Sequence, residues 1–357
     1  MITKKLAIVV GARPQFIKLA PLVDVLRDKA ELIIIHTGQH YNFEMSDIFF
    51  DQLNLPDVDY HLGVGSARQA DQVGQMLSKI DQVIEKESLT MMVIIGDTNS
   101  TLAGALAAAK NNLPLVHVEA GLRSKNKYLP EQINRIVADR LSDILCCPDQ
   151  ASIDNLKKEG IIDGVYLTGD ILYDLVARIE PNEKFIEHLL NELNLNKGEY
   201  ILMTLHRAEN VDDPKFLEAI IDGVARIERE IVLPLHPRTE KNLRNFDLYD
   251  KLTSHSHLRI IKPVGILESL ALTKSSLGVI TDSGGIQREA AYFGKRAYIL
   301  RDETEWLELE SHGAVKCIKS NLSDTEFNWH PAEVPSSYFE NASNRIAESI
   351  LGKTTKS

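Results

Sequence analysis

The chain has 357 residues, 44% of them hydrophobic, which is too long for one ordinary domain and sufficient to build the cores of two. Its formal net charge of −11 argues against a nucleic-acid-binding protein, since such proteins contact phosphates through clustered lysines and arginines. The apolar run near the N-terminus is short and ends in Gly-Ala-Arg-Pro, so it fits neither a signal peptide nor a membrane span. We therefore expect a cytoplasmic protein that binds neither nucleic acid nor membranes.

The three cysteines do not form a recognisable metal or redox motif. Cys146 and Cys147 are adjacent, and Cys317 lies far away in the sequence, so there is neither metal-ligand spacing nor a Cys-x-x-Cys pair. Their apolar neighbours predict buried, reduced thiols.

The first half of the chain alternates short apolar runs with amphipathic segments. The runs predict buried parallel strands, and the segments predict helices that cover them, which is typical of a doubly wound sheet. The predicted strands are 6–10, 32–35, 91–95, 115–118, 144–147 and 165–168. The predicted helices are 14–28, 41–53, 66–86, the alanine-rich segment after Ser100, 132–142 and 151–159.

After a connection at 170–182, a second set of the same alternation begins. The predicted strands are 200–205, 231–235, 258–261, 277–280 and 296–300. The predicted helices are 185–193, the segment that starts at Pro214, 266–272, the segment that ends at Gly294, and 338–351. Two such halves predict parallel sheets with helices on both faces, and a cleft lined by the carboxyl ends of both sets of strands.

The turn between the strand at 277–280 and the next helix is a candidate phosphate site. Gly284 and Gly285 allow backbone amides to approach a ligand closely, and the helix dipole favours an anion there. Glu289, further along the helix, is placed to reach a pair of sugar hydroxyls. The alternative is a tight turn in which Ser283 only caps the helix.

Several acids follow the predicted strands of the first half. Asp97 comes after the strand at 91–95, Glu119 after the strand at 115–118, and Glu131 shortly afterwards. Carboxylates that converge on one rim raise each other's pKa unless they are used or paired, so their number indicates a functional site. For Asp97 alone, capping of the following helix is the alternative.

Basic and histidine residues lie at the same strand ends. Arg13 follows the first strand and is a candidate phosphate ligand, with a structural salt bridge as the alternative. Lys18 lies on the first helix, where a solvated lysine is the alternative. His206 follows the strand at 200–205, and His236 follows the next strand, where a satisfied loop histidine is the alternative.

Six motifs, in order along nearly the whole chain, resemble the non-hydrolysing UDP-N-acetylglucosamine (UDP-GlcNAc) 2-epimerase family. They are GARPQFIK (11–18), GDTN (96–99), VEAGLR (118–123), PEQINR (130–135), LHRAEN (205–210) and TDSGGIQ (281–287). The resemblance implies two Rossmann-like domains facing across a cleft, as in GT-B glycosyltransferases. Their expected bounds are 1–172 and 173–336, with 337–357 packing back on the first domain. It also implies a homodimer in surface polysaccharide precursor synthesis.

The resemblance implies roles for individual residues. Lys18, Asp97, Glu119, Glu131 and His206 match the catalytic positions, and the base that removes the C2 proton is not assigned among the acids. The UDP-binding positions are Arg13, His206, Ser283, Gly284, Gly285 and Glu289. The reaction inverts C2 of the sugar by elimination and re-addition of UDP, and it requires no metal or redox cofactor. Candidate contacts to the sugar or to a second site are Gln39, His40, Arg68, Arg207, His236 and Arg301.

The sequence departs from the usual family pattern at a few motif positions. Ala12 and Gln15 replace Thr and Glu, Gln132 replaces a second Glu, and Arg288 replaces a Glu before Glu289. Together with the segment 302–306, this looks like the relatives that epimerise UDP-2,3-diacetamido-2,3-dideoxyglucuronate. The loop around 39–45 differs from members that bind a second, activating UDP-GlcNAc, so such activation is not expected.

Three other functions remain as alternatives. They are the hydrolysing branch, which releases UDP and free ManNAc, a GT-B glycosyltransferase, and an inactive sugar-nucleotide sensor. Several carboxylates beside a diphosphate favour turnover over binding alone.

Overall fold

The chain divides into two compact units. The computed structural model describes residues 4–38, 55–319 and 321–352. The first unit contains 1–178 and 337–357, and the second contains 179–336, so the second unit is inserted into the first. The predicted helix at 41–53 lies outside the described residues. Within the described ranges, no helix has both the length and the hydrophobicity that crossing a membrane would need.

The first unit is built on a parallel sheet, described here as seven strands. The strands are β1 Lys5–Val10, β2 Glu31–His36, β3 Tyr60–His61, β4 Met91–Ile95, β5 Leu115–Val118, β6 Ile144–Cys147 and β7 Val165–Leu167. Their order is β3-β2-β1-β4-β5-β6-β7, and every pairing is parallel. Helices follow the strands: α1 Arg13–Leu26, α2 Gln69–Lys86, α3 Asn99–Lys110, α4 Pro130–Leu141, α5 Gln150–Lys158 and α6 Ile171–Ile179.

Both faces of this sheet are buried, which explains why its strands are apolar without alternation. Leu6 and Ile8 of β1 point into one core, together with Leu19 of α1. Ala7 and Val9 point into the opposite core, together with residues of α2 and α3. A strand covered on both sides buries the side chains of both faces, so most of its positions are apolar.

The second unit repeats the architecture with six described strands. They are β8 Tyr200–Thr204, β9 Glu230–Pro234, β10 Leu258–Ile261, β11 Gly278–Thr281, β12 Ala297–Ile299 and β13 Val315–Cys317. Their order is β10-β9-β8-β11-β12-β13, again all parallel. The helices are α7 Glu183–Glu192, α8 Ala208–Val211, α9 Pro214–Val224, α10 Pro237–Asn245, α11 Tyr249–Thr253, α12 Ile266–Ser275, α13 Gly284–Tyr292 and α14 Leu307–Ser311. The predicted class, two parallel-sheet α/β domains, is confirmed.

The last helix, α15 Ala342–Leu351, belongs to the first unit. Ala342 and Ile346 join the core formed by α1 and the sheet. Asp174 of α6 accepts hydrogen bonds from the backbone N–H groups of Ala342 (3.3 Å) and Ser343 (2.6 Å), which otherwise lack partners in the first turn of a helix. The predicted start at 338 is wrong, because a short 3₁₀ turn, Ser336–Phe339, precedes α15.

The cysteines follow the prediction only in part. Cys146 and Cys147 are free thiols buried in the first unit, whereas Cys317, at the end of β13, is half-buried.

Candidate active site

Each sheet reverses its strand order at one point, and the candidate residues follow the strands at those points. In the first unit the reversal lies between β1 and β4, and in the second between β8 and β11. Ligands of open parallel sheets bind beyond the carboxyl ends of such neighbouring strands. The loops there carry Asp97 in the first unit, and His206 and Ser283 in the second. Arg13 begins α1 just after β1, and its side chain is outside the described part of the structure.

Four charged side chains of the first unit form what we call the carboxylate cluster: Lys18, Asp97, Glu119 and Arg135. Lys18 forms an ion pair with Glu119, and Arg135 forms one with Asp97. Nη2 of Arg135 also lies 3.6 Å from Oε1 of Glu119. The cluster therefore pairs two carboxylates with two positively charged side chains. Lys18 is thus not a solvated lysine, which was the alternative.

The members of this cluster differ in their access to solvent. The side chain of Asp97 is 32% exposed, whereas those of Glu119 (7%), Lys18 (7%) and Arg135 (6%) are buried. Burial disfavours the charged form of Arg135, but the neighbouring carboxylates of Asp97 and Glu119 outweigh it and raise its pKa. Asp97 is therefore the acid of the cluster that a ligand can reach, beside a fixed positive charge.

The backbone around the two acids is held in an unusual conformation. Glu119 has φ of 70°, in the left-handed region that a residue with a side chain rarely adopts. Gly96, which precedes Asp97, has φ of 69°. Arg135 donates a hydrogen bond to the carbonyl of Glu119, and the Glu119 N–H donates to Cys146 (3.1 Å). Strain of this kind persists only where the surroundings fix it, and it concentrates at functional sites.

Gln15, which departs from the family pattern, connects two segments of the first unit through its side-chain amide. Its Oε1 accepts hydrogen bonds from the backbone N–H groups of Gly11 (2.8 Å) and Ala12 (3.1 Å). Its Nε2 donates to the carbonyl of Ile95 (2.8 Å), the last residue of β4. The buried amide thereby joins the loop after β1 to the end of β4, the strand that leads to Asp97.

The remaining acid, Glu131, does not join its predicted neighbours in the interior. It lies exposed in the first turn of α4, and the buried Arg135 follows one turn later. Asp97, by contrast, is not the helix cap that was the alternative, because Thr98 occupies the cap position of α3 and accepts from the Thr101 N–H (3.4 Å).

In the second unit, a buried carboxylate organises the loop after β8. Nδ1 of His206 lies 2.9 Å from Oδ1 of Asp282. Oδ2 of Asp282 accepts from the backbone N–H groups of His206 (2.9 Å) and Arg207 (2.8 Å). Burial alone would raise the pKa of Asp282, but the histidine and the two N–H groups lower it overall. Asp282 thus fixes both the ring of His206 and the loop that carries it.

The turn before α13 has the predicted arrangement of a cap followed by two glycines. Oγ of Ser283 accepts from the Ile286 N–H (3.4 Å), so Ser283 caps the helix. A Cβ on Gly284 would lie 3.3 Å from Oε1 of Glu305. A Cβ on Gly285 would lie 3.7 Å from Oε1 of Glu289. The two glycines at the start of α13 therefore lie close to two carboxylates, those of Glu305 and Glu289.

Two arginines of the second unit, Arg301 and Arg207, place positive charge near Glu305. Nη1 of Arg301 donates to Oε2 of Glu305 (3.0 Å), and its Nε lies 3.5 Å from Glu209. Burial raises the pKa of Glu305, but Arg301 and, to a smaller extent, Arg207 lower it overall. This group of charges neighbours Gly284, which also lies close to Arg207.

Two of the other predicted contacts, His236 and Arg68, each lie at the start of a helix. His236 caps α10, because its Nδ1 accepts from the Arg238 N–H (3.1 Å), and its ring lies 5.6 Å from that of His206. Arg68 is exposed just before α2. Gln39 and His40 lie outside the described residues. Across the described ranges, no group of three or more His, Cys, Asp or Glu side chains is arranged to hold a metal ion.

Comparison with known proteins decides the family. The family model described as UDP-N-acetylglucosamine 2-epimerase matches residues 25–329. The chain belongs to the UDP-N-acetylglucosamine 2-epimerase family. Epimerases are isomerases, so the predicted enzyme class is confirmed together with the family.

Several members of this family are similar over most of their length. A UDP-N-acetylglucosamine 2-epimerase homolog of Methanococcus maripaludis is 45% identical over 318 residues, 89% of each chain. The UDP-2,3-diacetamido-2,3-dideoxy-D-glucuronate 2-epimerase of Pseudomonas aeruginosa is 43% identical over 87% of each chain. The crystal structure of Methanocaldococcus jannaschii UDP-GlcNAc 2-epimerase in complex with UDP-GlcNAc and UDP has a TM-score of 0.84 at 37% identity. It covers 98% of this chain and 100% of that one. The GT-B-like fold class is thereby confirmed.

Three residues of the described site were not among the predicted ones: Arg135, Asp282 and Glu305. All three lie in segments that the sequence marks, but Arg135 and Asp282 act through contacts 38 and 76 residues away along the chain. For Arg135 a signal was available, because it falls on the buried face of α4 beside Asn134 and Ala138. A charged residue at a core-facing helical position requires a partner, and the acids at the strand ends are the nearest candidates.

Proposed function

We propose that this chain is a non-hydrolysing UDP-sugar 2-epimerase, which inverts C2 of UDP-GlcNAc or a UDP-GlcNAc-derived sugar by elimination and re-addition of UDP. The observation that carries the proposal is the carboxylate cluster, in which a reachable Asp97 is held by the buried Arg135. Fixed charges of both signs suit a reaction that passes through a charged sugar and moves a proton.

The chemistry requires two kinds of group. A C2 proton beside an acetamido group is barely acidic, so a base alone does not remove it. If the bond to UDP breaks first, positive charge builds on the ring and the neighbouring C2–H becomes acidic. The enzyme must therefore stabilise the departing diphosphate and also supply a base and an acid for the proton.

We assign stabilisation of the diphosphate to the turn before α13. The first-turn N–H groups at Gly284 and Gly285 and the positive end of the helix dipole favour phosphate oxygens. His206 contributes a ring whose orientation is fixed by Asp282, 2.9 Å away. We assign Glu289 to the ribose hydroxyls. We assign Arg13 to the diphosphate, as the family motif implies.

We assign the proton chemistry to Asp97 and Glu131. Both are accessible to solvent, and a base must come within hydrogen-bonding distance of the proton it removes. Glu119 is buried in its ion pair with Lys18, so its assigned task is to hold Lys18 and Arg135 in place and to place negative charge near the cationic ring.

Two UDP-sugars are candidate substrates within this proposal. Relatives at 41% and 43% identity act, by their names, on UDP-GlcNAc and on the diacetamido-glucuronate sugar. Arg288, considered as a contact for an anionic sugar, donates from Nε to the Gly284 carbonyl (3.0 Å) and lies over the ring of Trp306 (4.2 Å). These contacts hold it within its own unit, so we place UDP-GlcNAc first and the diacetamido uronate second. A homodimer in the cytoplasm, making surface polysaccharide precursors, completes the proposal.

One experiment separates the candidate reactions. Each of the two UDP-sugars is incubated with the protein in deuterium oxide without an acceptor and followed by NMR. Deuterium at C2 with UDP still attached is the expected result. Free UDP and free sugar would identify the hydrolysing alternative, and absence of exchange with both substrates would exclude the epimerase.

A further inference from the structure

A buried histidine in the first unit joins two elements of the carboxylate cluster. His117 lies in β5, and neither its side chain nor that of Asp139 has any exposed surface. Nδ1 of His117 lies 2.6 Å from Oδ1 of Asp139, in α4. Nε2 lies 2.7 Å from the carbonyl oxygen of Gly96, at the end of β4. The ring therefore bridges α4 to the residue that precedes Asp97.

The partners of this ring determine where its protons lie. The carbonyl of Gly96 can only accept a hydrogen bond, so Nε2 must carry a proton. Oδ2 of Asp139 already accepts from the Gly121 N–H (3.1 Å) and from Nη1 of Arg123 (2.7 Å). Burial raises the pKa of Asp139, but His117 and Arg123 lower it overall, so Asp139 is a carboxylate. Nε2 of His117 therefore donates to the Gly96 carbonyl, while Nδ1 faces the Asp139 carboxylate.

The peptide that carries Asp97 is held from several sides by these contacts. Gly96 has φ of 69°, so its carbonyl is directed by a conformation open to glycine. On the other side of this peptide, Nδ2 of Asn134 donates to the carbonyl of Asp97 (2.9 Å), and Arg135 binds its carboxylate. The hydrogen bond from His117 fixes the Gly96 carbonyl, which directly precedes Asp97 in this loop.

We propose that His117 is a positioning residue for the epimerase reaction: by donating to the Gly96 carbonyl while anchored on Asp139, it sets the place of the Asp97 carboxylate. This inference rests on the proposed function, in which Asp97 moves the C2 proton. A shift of about 1 Å in a reacting group can reduce a rate by on the order of 100-fold without a change in substrate affinity.

Two substitutions of His117 test the contacts of its two ring nitrogens separately. In His117→Gln the amide reaches the position of Nε2 and can still donate to Gly96. In His117→Asn the shorter amide reaches the position of Nδ1, so the contact with Asp139 remains and that with Gly96 is lost. We expect His117→Asn to lower kcat by about 100-fold with KM changed by less than about twofold, and His117→Gln to lower kcat by about tenfold or less.

Thr168→Val is the matched control for stability. Oγ1 of the buried Thr168 donates to the carbonyl of Cys147 (3.2 Å) in the same sheet, so the variant loses a buried hydrogen bond away from the cluster and should keep the wild-type kcat. Losses of kcat that are equal in the Asn and Gln variants, or that only follow the amount of folded protein, would overturn the role of the Gly96 contact.

Crystal structures of the same variants test the inference without any substrate. We expect the Asp97 carboxylate to move away from Arg135 in His117→Asn and to stay in place in His117→Gln. An unmoved Asp97 in both variants would overturn the inference. If the wild-type protein exchanges no C2 proton, the proposed function fails, and these structures still decide whether His117 positions Asp97.

Discussion

The imidazole of His206 and the carboxylate of Asp282 meet at 2.9 Å across 76 residues of sequence. The Asp282 side chain is fully buried, while that of His206 is 40% exposed. The acid therefore stays inside the second unit and directs a histidine that solvent and ligands can reach. The same acid accepts from two backbone N–H groups of the His206 loop, so one residue controls both the ring and its support.

Asp282→Asn should destabilise the protein and impair catalysis. We expect a loss of about 1.5–3 kcal/mol in the free energy of unfolding, because hydrogen bonds to a charged acceptor become bonds to a neutral one. Folding lowers the pKa of Asp282. The stabilisation that its charged form provides is therefore fully present above the pKa of an unfolded aspartate, about 4. This stabilisation is lost as the pH falls through the lower pKa of the folded protein. Urea unfolding of both proteins between about pH 3 and pH 7 measures this difference.

The control for this prediction is Asp302→Asn. The Asp302 side chain is 71% exposed, and it pairs with Lys319 at 2.9 Å on the surface. Its replacement should change the free energy of unfolding by less than about 0.5 kcal/mol at any pH. A difference between wild type and Asp282→Asn that does not shrink toward acidic pH would contradict the assigned role of Asp282.

Asp97→Asn should abolish C2 exchange while UDP affinity stays nearly unchanged. The substitution keeps the size of the side chain and removes the proposed proton-transfer group, and such groups contribute on the order of 100- to 10,000-fold in rate. NMR in deuterium oxide measures the exchange, and titration calorimetry measures the dissociation constant of UDP. A large loss of UDP binding would argue that Asp97 acts on the nucleotide instead.

Lys18 and Glu119 should be strongly coupled in stability. Removing one member of a buried ion pair leaves an uncompensated charge, so Lys18→Met and Glu119→Gln should each cost about 3–5 kcal/mol. The double variant should cost less than the sum of the two, by about 1–3 kcal/mol. The exposed pair Lys251 and Glu218 (2.8 Å) is the control, with an expected coupling below about 1 kcal/mol. Additive costs for Lys18 and Glu119 would refute the coupling.

Arg288→Ala should loosen Trp306. The guanidinium lies over the indole ring at 4.2 Å and also bonds to Gly284, so we expect a loss of about 1–2 kcal/mol and a red shift of the Trp306 emission. The chain has two tryptophans, so the measurement uses a Trp329→Phe background. Arg288→Lys should recover little, because lysine lacks the flat group that stacks on the ring. Unchanged emission in both variants would mean that Arg288 does not support Trp306.

The sequence predicts the strands more accurately than the helices and connections between them. β4, β5, β6 and β10 have the predicted bounds, because each is a short, mostly apolar segment between polar ones. β3 and β13 are missing from the prediction, since two or three residues give no period to recognise. Helix α6 is missing because it lies in the stretch interpreted as a connection, although Leu172 and Val176 are buried there.

For the site, the sequence finds residues that a local pattern marks and misses those that only a distant partner identifies. Asp97 and Glu119 are recognisable because each follows a buried strand. Arg135 and Asp282 act through partners 38 and 76 residues away, and no pattern along the chain relates those positions. Gln15 illustrates the same limit, because its contact with Ile95 spans 80 residues and explains a departure from the family motif only once the fold is known.

The return of α15 to the first unit has a consequence for how the protein is made. Ala342, Ile346 and Ile350 complete a core whose other members include Leu6 and Leu19, so residues that precede the inserted unit depend on residues that follow it. The inserted unit, 179–336, leaves the ribosome as an uninterrupted stretch and can close its own core first. During translation the apolar surface that α15 covers on the first unit therefore stays exposed until residues 342–351 have been made.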